Sequence, residues 1–411
     1  MSDYLPNEVI VNILSRLPVK LLMRFRCVSK AWCSLISSPH FIATHLNRSL
    51  SISQHPPYLF VSHYDDEPNY LDTKHTLLLY LDQEIEQKGD FFANPSDCLE
   101  LRGIHQSINY FLHLVGSSNG LLCLADTVFN SERGLCVLWN PSIQKTISLP
   151  KPNIGFSGSL NQSVGFGYEP TTDDYKLVRL VYPDTDTAGT PKVEIYTLRT
   201  GIWRSITAPG PPYLMNMWSS SVFVNGALHW PAYTPRCQGA FRNVIVWFNM
   251  KDEAFGEVGM PRSLQGREDL IVTVALLDGL LALVPCDAKG NKASHAVWVM
   301  KEYGVEESWT KLFDVCIGAL DRVIGFTKSG EFLVNNAGRL FSFGPSSRGY
   351  LEDLPICEPE DIYLDTYVES LVLLNVANRV PERQGNCLVV VKRTKKSRYL
   401  MLVPHCTCYD Y

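Results

Sequence analysis

LPNEVIVNILSRLPVKLLMRFRCVSKAWCSLISSPHFIATHL, from Leu5 to Leu46, is the stretch whose reading decides the fold. Its apolar residues recur at helical spacing rather than at the period of two that marks a strand. Val9, Ile10, Ile13, Leu14 and Leu17 form one stripe, which breaks at Pro18. A second helix follows Pro18, with Val19, Leu22, Met23, Phe25 and Cys27 on its apolar side. Ser29 is predicted to cap a third helix carrying Trp32, Leu35 and Ile36, because its hydroxyl can accept an orphan backbone N–H. Ser38-Pro39 repeats the signal, a cap followed by proline, and opens a fourth helix through Phe41, Ile42 and Leu46.

A unit this small cannot bury so many large side chains by itself, so some are expected to dock on a partner. The order of motifs is specific. Leu5-Pro6, Ile13-Leu14, Leu17-Pro18-Val19-Lys20, Arg24 to Lys30 (RFRCVSK) and Trp32 together resemble a plant-type F-box. The resemblance implies that residues 1–46 bind a Skp-type adaptor and, through it, a cullin ubiquitin ligase. It also implies the contacts: Leu5, Pro6, Ile10, Ile13, Leu14, Leu17, Pro18, Leu22, Val28 and Trp32.

At 411 residues the chain exceeds one typical domain, so an appendage on a large repeat domain, or two domains, is the expectation. A content of 45% hydrophobic and 19% charged residues fits a soluble globular chain with little disorder. The net charge of −5 gives no field to attract nucleic acid or anionic lipid. Met-Ser-Asp-Tyr-Leu-Pro lacks the basic and apolar regions of a secretory signal. The longest apolar run, Leu270 to Pro285, holds Asp278-Gly279 near its centre and reads as a hairpin, not a membrane span. The twelve cysteines are scattered, mostly in apolar runs, which reads as free thiols in a reducing compartment. The expected location is therefore cytoplasmic, nuclear or both.

Beyond a polar linker at 47–57, helical periodicity disappears. Short runs rich in Val, Ile, Leu and aromatics alternate with Gly, Asn, Asp and Pro clusters, the mark of an all-β architecture. One repeated element is a turn followed by an apolar strand, at Asn119-Gly120, Asn225-Gly226, Asp278-Gly279 and Ser329-Gly330. Another is an aromatic-bearing strand, a polar turn and a further strand, beginning at Trp139, Tyr196, Trp247 and Trp298, with Phe341 a further aromatic expected at the same place. Tyr196, Trp247 and Trp298 stand 51 residues apart. That period, with several strands per unit, matches a kelch-like propeller blade of four strands. Residues 58–404 then allow six or seven blades, and the first and last segments can share one. Ser118 to Leu121, Trp139 to Ser142, Gly165 to Tyr168, Asp173 to Lys176 and Asn225 to Trp230 resemble the F-box-associated, kelch-like domain of plant F-box proteins. The fold expected is a small all-α F-box cap followed by an all-β kelch-like propeller.

Chemistry is hard to find. Gly116 to Gly120 fits G-x-S-x-G, but the residues after it read as a strand, whereas the nucleophile motif needs a helix there. Asp173-Asp174 reads as a solvated turn, and His229 as a packed core histidine. Cys406 and Cys408 lack the second pair a zinc site needs. Lys392 to Arg398 reads as a charged hairpin loop at a blade edge, with nuclear import as the competing reading. No catalytic residue, metal or cofactor is assigned, and the chain reads as a non-enzyme. The expected role is substrate recognition for a Skp–cullin–F-box ligase; the alternatives are a propeller enzyme or a non-degradative scaffold. Loops held on a rigid scaffold are expected to meet the target. Tyr213, Met215 and Met217 in the proline-rich loop Ala208 to Trp218, with Arg236 and Arg242 in the loop Tyr233 to Arg242, are the candidates. The opposing reading has the proline-rich loop plugging the gap between two blades.

Overall fold

Four helices form where caps and prolines place them: α1 (Asn7–Leu14), α2 (Val19–Phe25), α3 (Lys30–Ile36) and α4 (Pro39–Ser51). The structure is a computed structural model describing residues 5–51, 58–65, 74–81, 97–104, 112–126, 136–154, 162–182, 190–207, 210–215, 221–234, 240–287, 294–316, 321–326, 332–336, 339–343, 363–376 and 388–393. The Ser29 hydroxyl accepts from the Trp32 amide at 3.2 Å and that of Ser38 from the Phe41 amide at 3.2 Å, as predicted. The fourth helix runs past the expected boundary at Leu46 into the supposed linker. His45 and Leu46 are buried there, and after them Asn47 and Ser51 face solvent while Arg48 and Ser49 are half-buried.

Leu14, Val19, Leu22, Ile36 and Phe41 form the core of the helical cap, and one side chain from the far end of the chain, Leu371, joins them. This corrects two expected partner contacts. Leu14 and Leu22 are buried in this core, which Leu371 completes, and neither lies on the surface.

The strands fall into six sheets among the described residues. The first blade contains β1 (Tyr58–Asp65), β2 (Lys74–Leu81) and β3 (Asp97–Ile104). The second is β4 (Leu112–Ser118), β5 (Leu121–Asp126), β6 (Cys136–Asn140) and β7 (Lys145–Ser148). The third is β8 (Gln162–Glu169), β9 (Asp174–Val181), β10 (Lys192–Thr197) and β11 (Ile202–Ser205). The fourth has β12 (Leu214–Met215) and β13 (Val222–Val224) sharing the inner edge of β14 (Ala227–Tyr233), then β15 (Asn243–Asn249) and β16 (Ala254–Gly259). The fifth is β17 (Leu270–Leu277), β18 (Leu280–Asp287), β19 (Ser294–Met300) and β20 (Trp309–Cys316). The sixth is β21 (Asp321–Phe326), β22 (Phe332–Asn336) and β23 (Arg339–Phe343). Two late strands, β24 (Tyr363–Tyr367) and β25 (Leu388–Arg393), return to the first blade, beside β1 and β3.

The chain's two ends thus share one blade. The inner strands β24, β4, β8, β13, β17 and β21 touch in succession, and β21 touches β24. The ring is closed, so the inner edge strands of the six sheets face one another and are protected. Antiparallel order sorts the connections. Within the second to fifth blades, turns joining first to second and third to fourth strands lie at one end of the ring, and the second-to-third and blade-to-blade connections lie at the opposite end. Asn119-Gly120, Asn225-Gly226 and Asp278-Gly279 make the tight turns, each with two residues at positive φ, as predicted. Ser329-Gly330 lies outside the described residues, as do Cys406 and Cys408. Lys392 and Arg393 belong to β25, and the rest of that basic cluster is likewise outside.

The periodic aromatics share a strand but not a row. Trp139, Tyr196, Trp247, Trp298 and Phe341 all lie on the third strand from the inner edge of their blades, β6, β10, β15, β19 and β23. Tyr196 joins the core between the second and third blades, so it faces the preceding blade. Trp247 and Trp298 meet in the core between the fourth and fifth, so Trp247 faces forward. Successive side chains on a strand point to opposite faces, so a one-residue difference in register reverses the ring. Phe248, beside Trp247, takes the backward-facing place.

Segment Tyr367–Val376 runs as a strap across the end of the second blade. The Asn140 side-chain amide reaches the Ser370 carbonyl at 3.0 Å and the Val372 carbonyl at 2.7 Å. Ser142 Oγ lies 2.5 Å from the Tyr367 hydroxyl, and Lys145 Nζ donates to the Val376 carbonyl at 2.6 Å. Gly120 is needed here, because a side chain at its position would collide with the Val368 carbonyl oxygen. Leu373 has φ +73° although it is not glycine. That conformation costs on the order of 1–3 kcal/mol, which these hydrogen bonds and the burial of Leu371, Val372 and Leu373 offset.

His229 is a fully enclosed core histidine, as predicted. One ring nitrogen, Nε2, lies 2.9 Å from the Tyr303 hydroxyl and the other 3.3 Å from the Val222 carbonyl. A carbonyl only accepts, so Nδ1 carries the proton and Nε2 accepts from Tyr303. Burial pushes its pKa down to about 4, against a weaker upward pull from the carbonyl hydrogen bonds. Because the folded value is depressed, the unfolded chain binds the proton more readily. Stability is complete above about pH 6.5 and falls toward about pH 4. Between about pH 7 and about pH 5 the loss from this group is about 2 kcal/mol. Urea denaturation at the two values should show it, and His229→Gln should flatten the difference; an unchanged slope in that variant would assign the effect to other groups.

Candidate functional site

At the cap, three exposed apolar side chains stand four residues apart. Leu5 is 57% exposed, Val9 40% and Ile13 49%, so they line one outer face of α1 and its approach. Val28, between α2 and α3, is 65% exposed. Pro6 and Pro18 are exposed as well, while Ile10, Leu17 and Trp32 are half-buried against the cap core. Trp32 meets Phe25 edge-on, with ring centroids 5.3 Å apart. A row of large aliphatic side chains left in water marks a docking surface. Val9 belongs to it although it was not among the expected contacts; its signal was its place four residues after Leu5 and four before Ile13.

The cap sits at the tight-turn end of the ring. Ile143, in the short 3-10 turn Pro141–Ile143 between β6 and β7, packs on its core. Leu46 and Ile42 of α4 reach into the core between the second and third blades. The Val19 amide, at the start of α2, donates to the Glu369 carboxylate of the strap at 3.2 Å. Helices and ring are therefore packed together, not merely tethered.

The candidate target loops lie at the opposite end, but two of their residues are not at the surface. Tyr213 and Met215 are 8% and 5% exposed, in the core between the third and fourth blades. The Tyr182 hydroxyl fixes them, donating to the Tyr213 carbonyl at 2.9 Å and accepting from the Met215 amide at 3.2 Å. This corrects the expectation that they meet a target; the loop plugs the gap between two blades. Met217 and Arg236 lie outside the described residues. The Arg242 guanidinium donates to the Tyr213 hydroxyl at 2.9 Å and to Glu257 at 2.8 Å. Tyr213 in turn donates to Glu257 at 2.5 Å. Burial, then the Glu257 hydrogen bond, raises the Tyr213 pKa, and the same carboxylate raises that of Arg242. Exposed apolar groups do occur at this end: Tyr233, stacked on half-buried Phe241 at 6.2 Å, and Ile271 at the start of β17.

Neither suspected catalytic motif has catalytic form. Ser118 ends β4, and a two-residue turn leads straight into β5. Asp174 is buried rather than solvated, and its Oδ1 accepts from the Tyr175 and Arg199 amides at 2.8 and 2.9 Å, which holds the turn.

Two family models match the chain in the same order as the two parts of the structure. The F-box domain matches residues 3–44, and the F-box associated beta propeller domain matches residues 70–344. The chain belongs to the F-box proteins with an F-box-associated propeller. Among its relatives in Arabidopsis thaliana is F-box/kelch-repeat protein At3g23880, 30% identical over 319 residues, 76% of this chain and 79% of that protein. F-box protein CPR1 is 30% identical over 335 residues, covering 76% and 73%. F-box protein At4g22390 is 27% identical over 407 residues and covers 90% of each chain. In this F-box protein the matched F-box is the helical cap, and its exposed stripe is the first surface to consider for a partner.

Proposed function

We propose that this F-box protein is a substrate-recruiting subunit of a Skp–cullin–F-box ubiquitin ligase, acting in the cytoplasm, the nucleus or both. The observation that carries the reading is the stripe Leu5, Val9 and Ile13, exposed on a cap packed at the end of the ring opposite Tyr233 and Ile271. The cap docks on a Skp-type adaptor, and the far end of the ring, with Tyr233, Phe241 and Ile271, faces a protein target. The chain performs no chemistry; it holds the target near the ligase's catalytic partner, and proximity supplies the rate.

The test is adaptor binding by the full chain. Val9→Asp with Ile13→Asp puts two charges on an apolar contact without touching the cap core. The expected loss is about 2–4 kcal/mol of binding free energy, as for buried anchors. Unchanged adaptor affinity in a folded double variant would reject the stripe as the docking face. Target proteins that accumulate when the gene is deleted would support a degradative role over a scaffold.

A further inference from the structure

The F-box of this protein is completed by residues made at the other end of the chain. Leu371 is wholly buried among Leu14, Val19, Leu22, Ile36 and Phe41. Helix α2 begins at Pro18, which offers no side-chain cap, and Glu369 supplies an acceptor to its Val19 amide instead. Both groups belong to the strap, which leaves β24, the inner strand that closes the ring between β21 and β4. The strap is held from the propeller side by Asn140, Ser142 and Lys145, none of which belongs to the cap.

We propose that ring closure and adaptor competence are one coupled equilibrium, with the strap as the coupling element. While β24 is not seated in the first blade, the cap lacks a core side chain and a helix cap, and α1, which carries the docking stripe, rests on an incomplete core. Closing the ring seats the strap and sets the cap. The reverse holds by linkage: whatever binds the set cap also favours the closed ring. A chain truncated before the strap is thus withheld from the ligase. This last consequence rests on the adaptor reading above; the coupling itself does not.

The experiment is hydrogen exchange on the full-length protein without adaptor, followed by adaptor affinity. Asn140→Ala removes the strap's anchor from the propeller side; because Asn140 also holds the turn whose Ile143 packs on the cap, Ile143→Ala, which leaves the strap untouched, is its control. Leu371→Ala removes the core contact, and Glu369→Gln weakens the helix cap with little risk to folding. In Asn140→Ala and Leu371→Ala, amides of α1 to α3 should exchange faster by about tenfold or more, because local opening is favoured there. Blades three to five should stay protected. Adaptor affinity should fall in the same order, and adaptor added to the parent protein should slow exchange in β24. Unchanged exchange of α1 to α3 in Asn140→Ala and Leu371→Ala, with the blades intact, would overturn the coupling. If those variants fold poorly, Glu369→Gln decides the matter alone, and unchanged exchange around Val19 in that variant overturns the coupling. Loosened helices with no adaptor binding by the parent protein would leave the coupling standing and reject the ligase reading instead.

Discussion

Glu194→Ala is expected to lower the stability of the ring by about 3–5 kcal/mol, the range for breaking a buried ion pair. Glu194 and Arg179 lie on neighbouring strands of the third blade, and both side chains are out of solvent. Their charges meet at 2.7 Å, with Arg179 Nε donating to Gln162 at 2.8 Å and a terminal nitrogen to the Ile154 carbonyl at 3.0 Å. Glu194 also accepts from the Ile154 amide at 2.8 Å, which ties the connection between the second and third blades to the pair. Alanine leaves the guanidinium buried without this counter-charge and leaves the Ile154 amide without its acceptor. Removing both charges with Arg179→Met and Glu194→Leu should cost much less, because neither desolvated ion remains. Urea denaturation of the single and double variants decides it. A single variant within about 1 kcal/mol of the parent would show that water reaches the site.

Trp230→Ala should cost a similar amount, about 3–5 kcal/mol, by opening a cavity between the third and fourth blades. Trp230 is fully buried there among Val178, Leu180, Leu228 and Phe248. The third blade makes room for it: a Cβ on Gly165 would lie 2.5 Å from the indole and 2.8 Å from Leu228. Gly165→Ala alone should therefore destabilise, yet cost less in the Trp230→Ala background, where the indole is gone and the Leu228 side chain can move into the space it left. Denaturation of the four proteins tests this non-additivity. Additive losses would mean that the two positions do not share a contact.

What the sequence revealed follows from how local each signal is. Helix caps at Ser29 and Ser38 and the Asn-Gly and Asp-Gly turns depend on two to four adjacent residues, and these stand as predicted. The 51-residue spacing marked the correct strand of each blade, since the repeat unit is itself a local structure. Register was not legible, because Trp247 and Phe248 are both apolar aromatics and only the neighbouring blade decides which one faces back. Tyr213 and Met215 misled for a related reason. Prolines and large apolar groups look the same in a binding loop and in a plug. The strap was invisible: Glu369 and Val19 are separated by 350 positions, and the Ser370 to Val376 run has the composition of an ordinary strand.

The antiparallel order of each blade gives the two ends of the ring different freedom to change over time. At the cap end the two-residue turns require positive φ at both positions, and lengthening one would splay its strands or press on the helices. At the far end the connection from the fourth blade to the fifth, residues 260–269, crosses between sheets and is bound to no two-residue turn geometry. Insertions and substitutions can therefore accumulate at one end while the other is held fixed. Loops at the far end can be rewritten without altering the end that carries the helical cap.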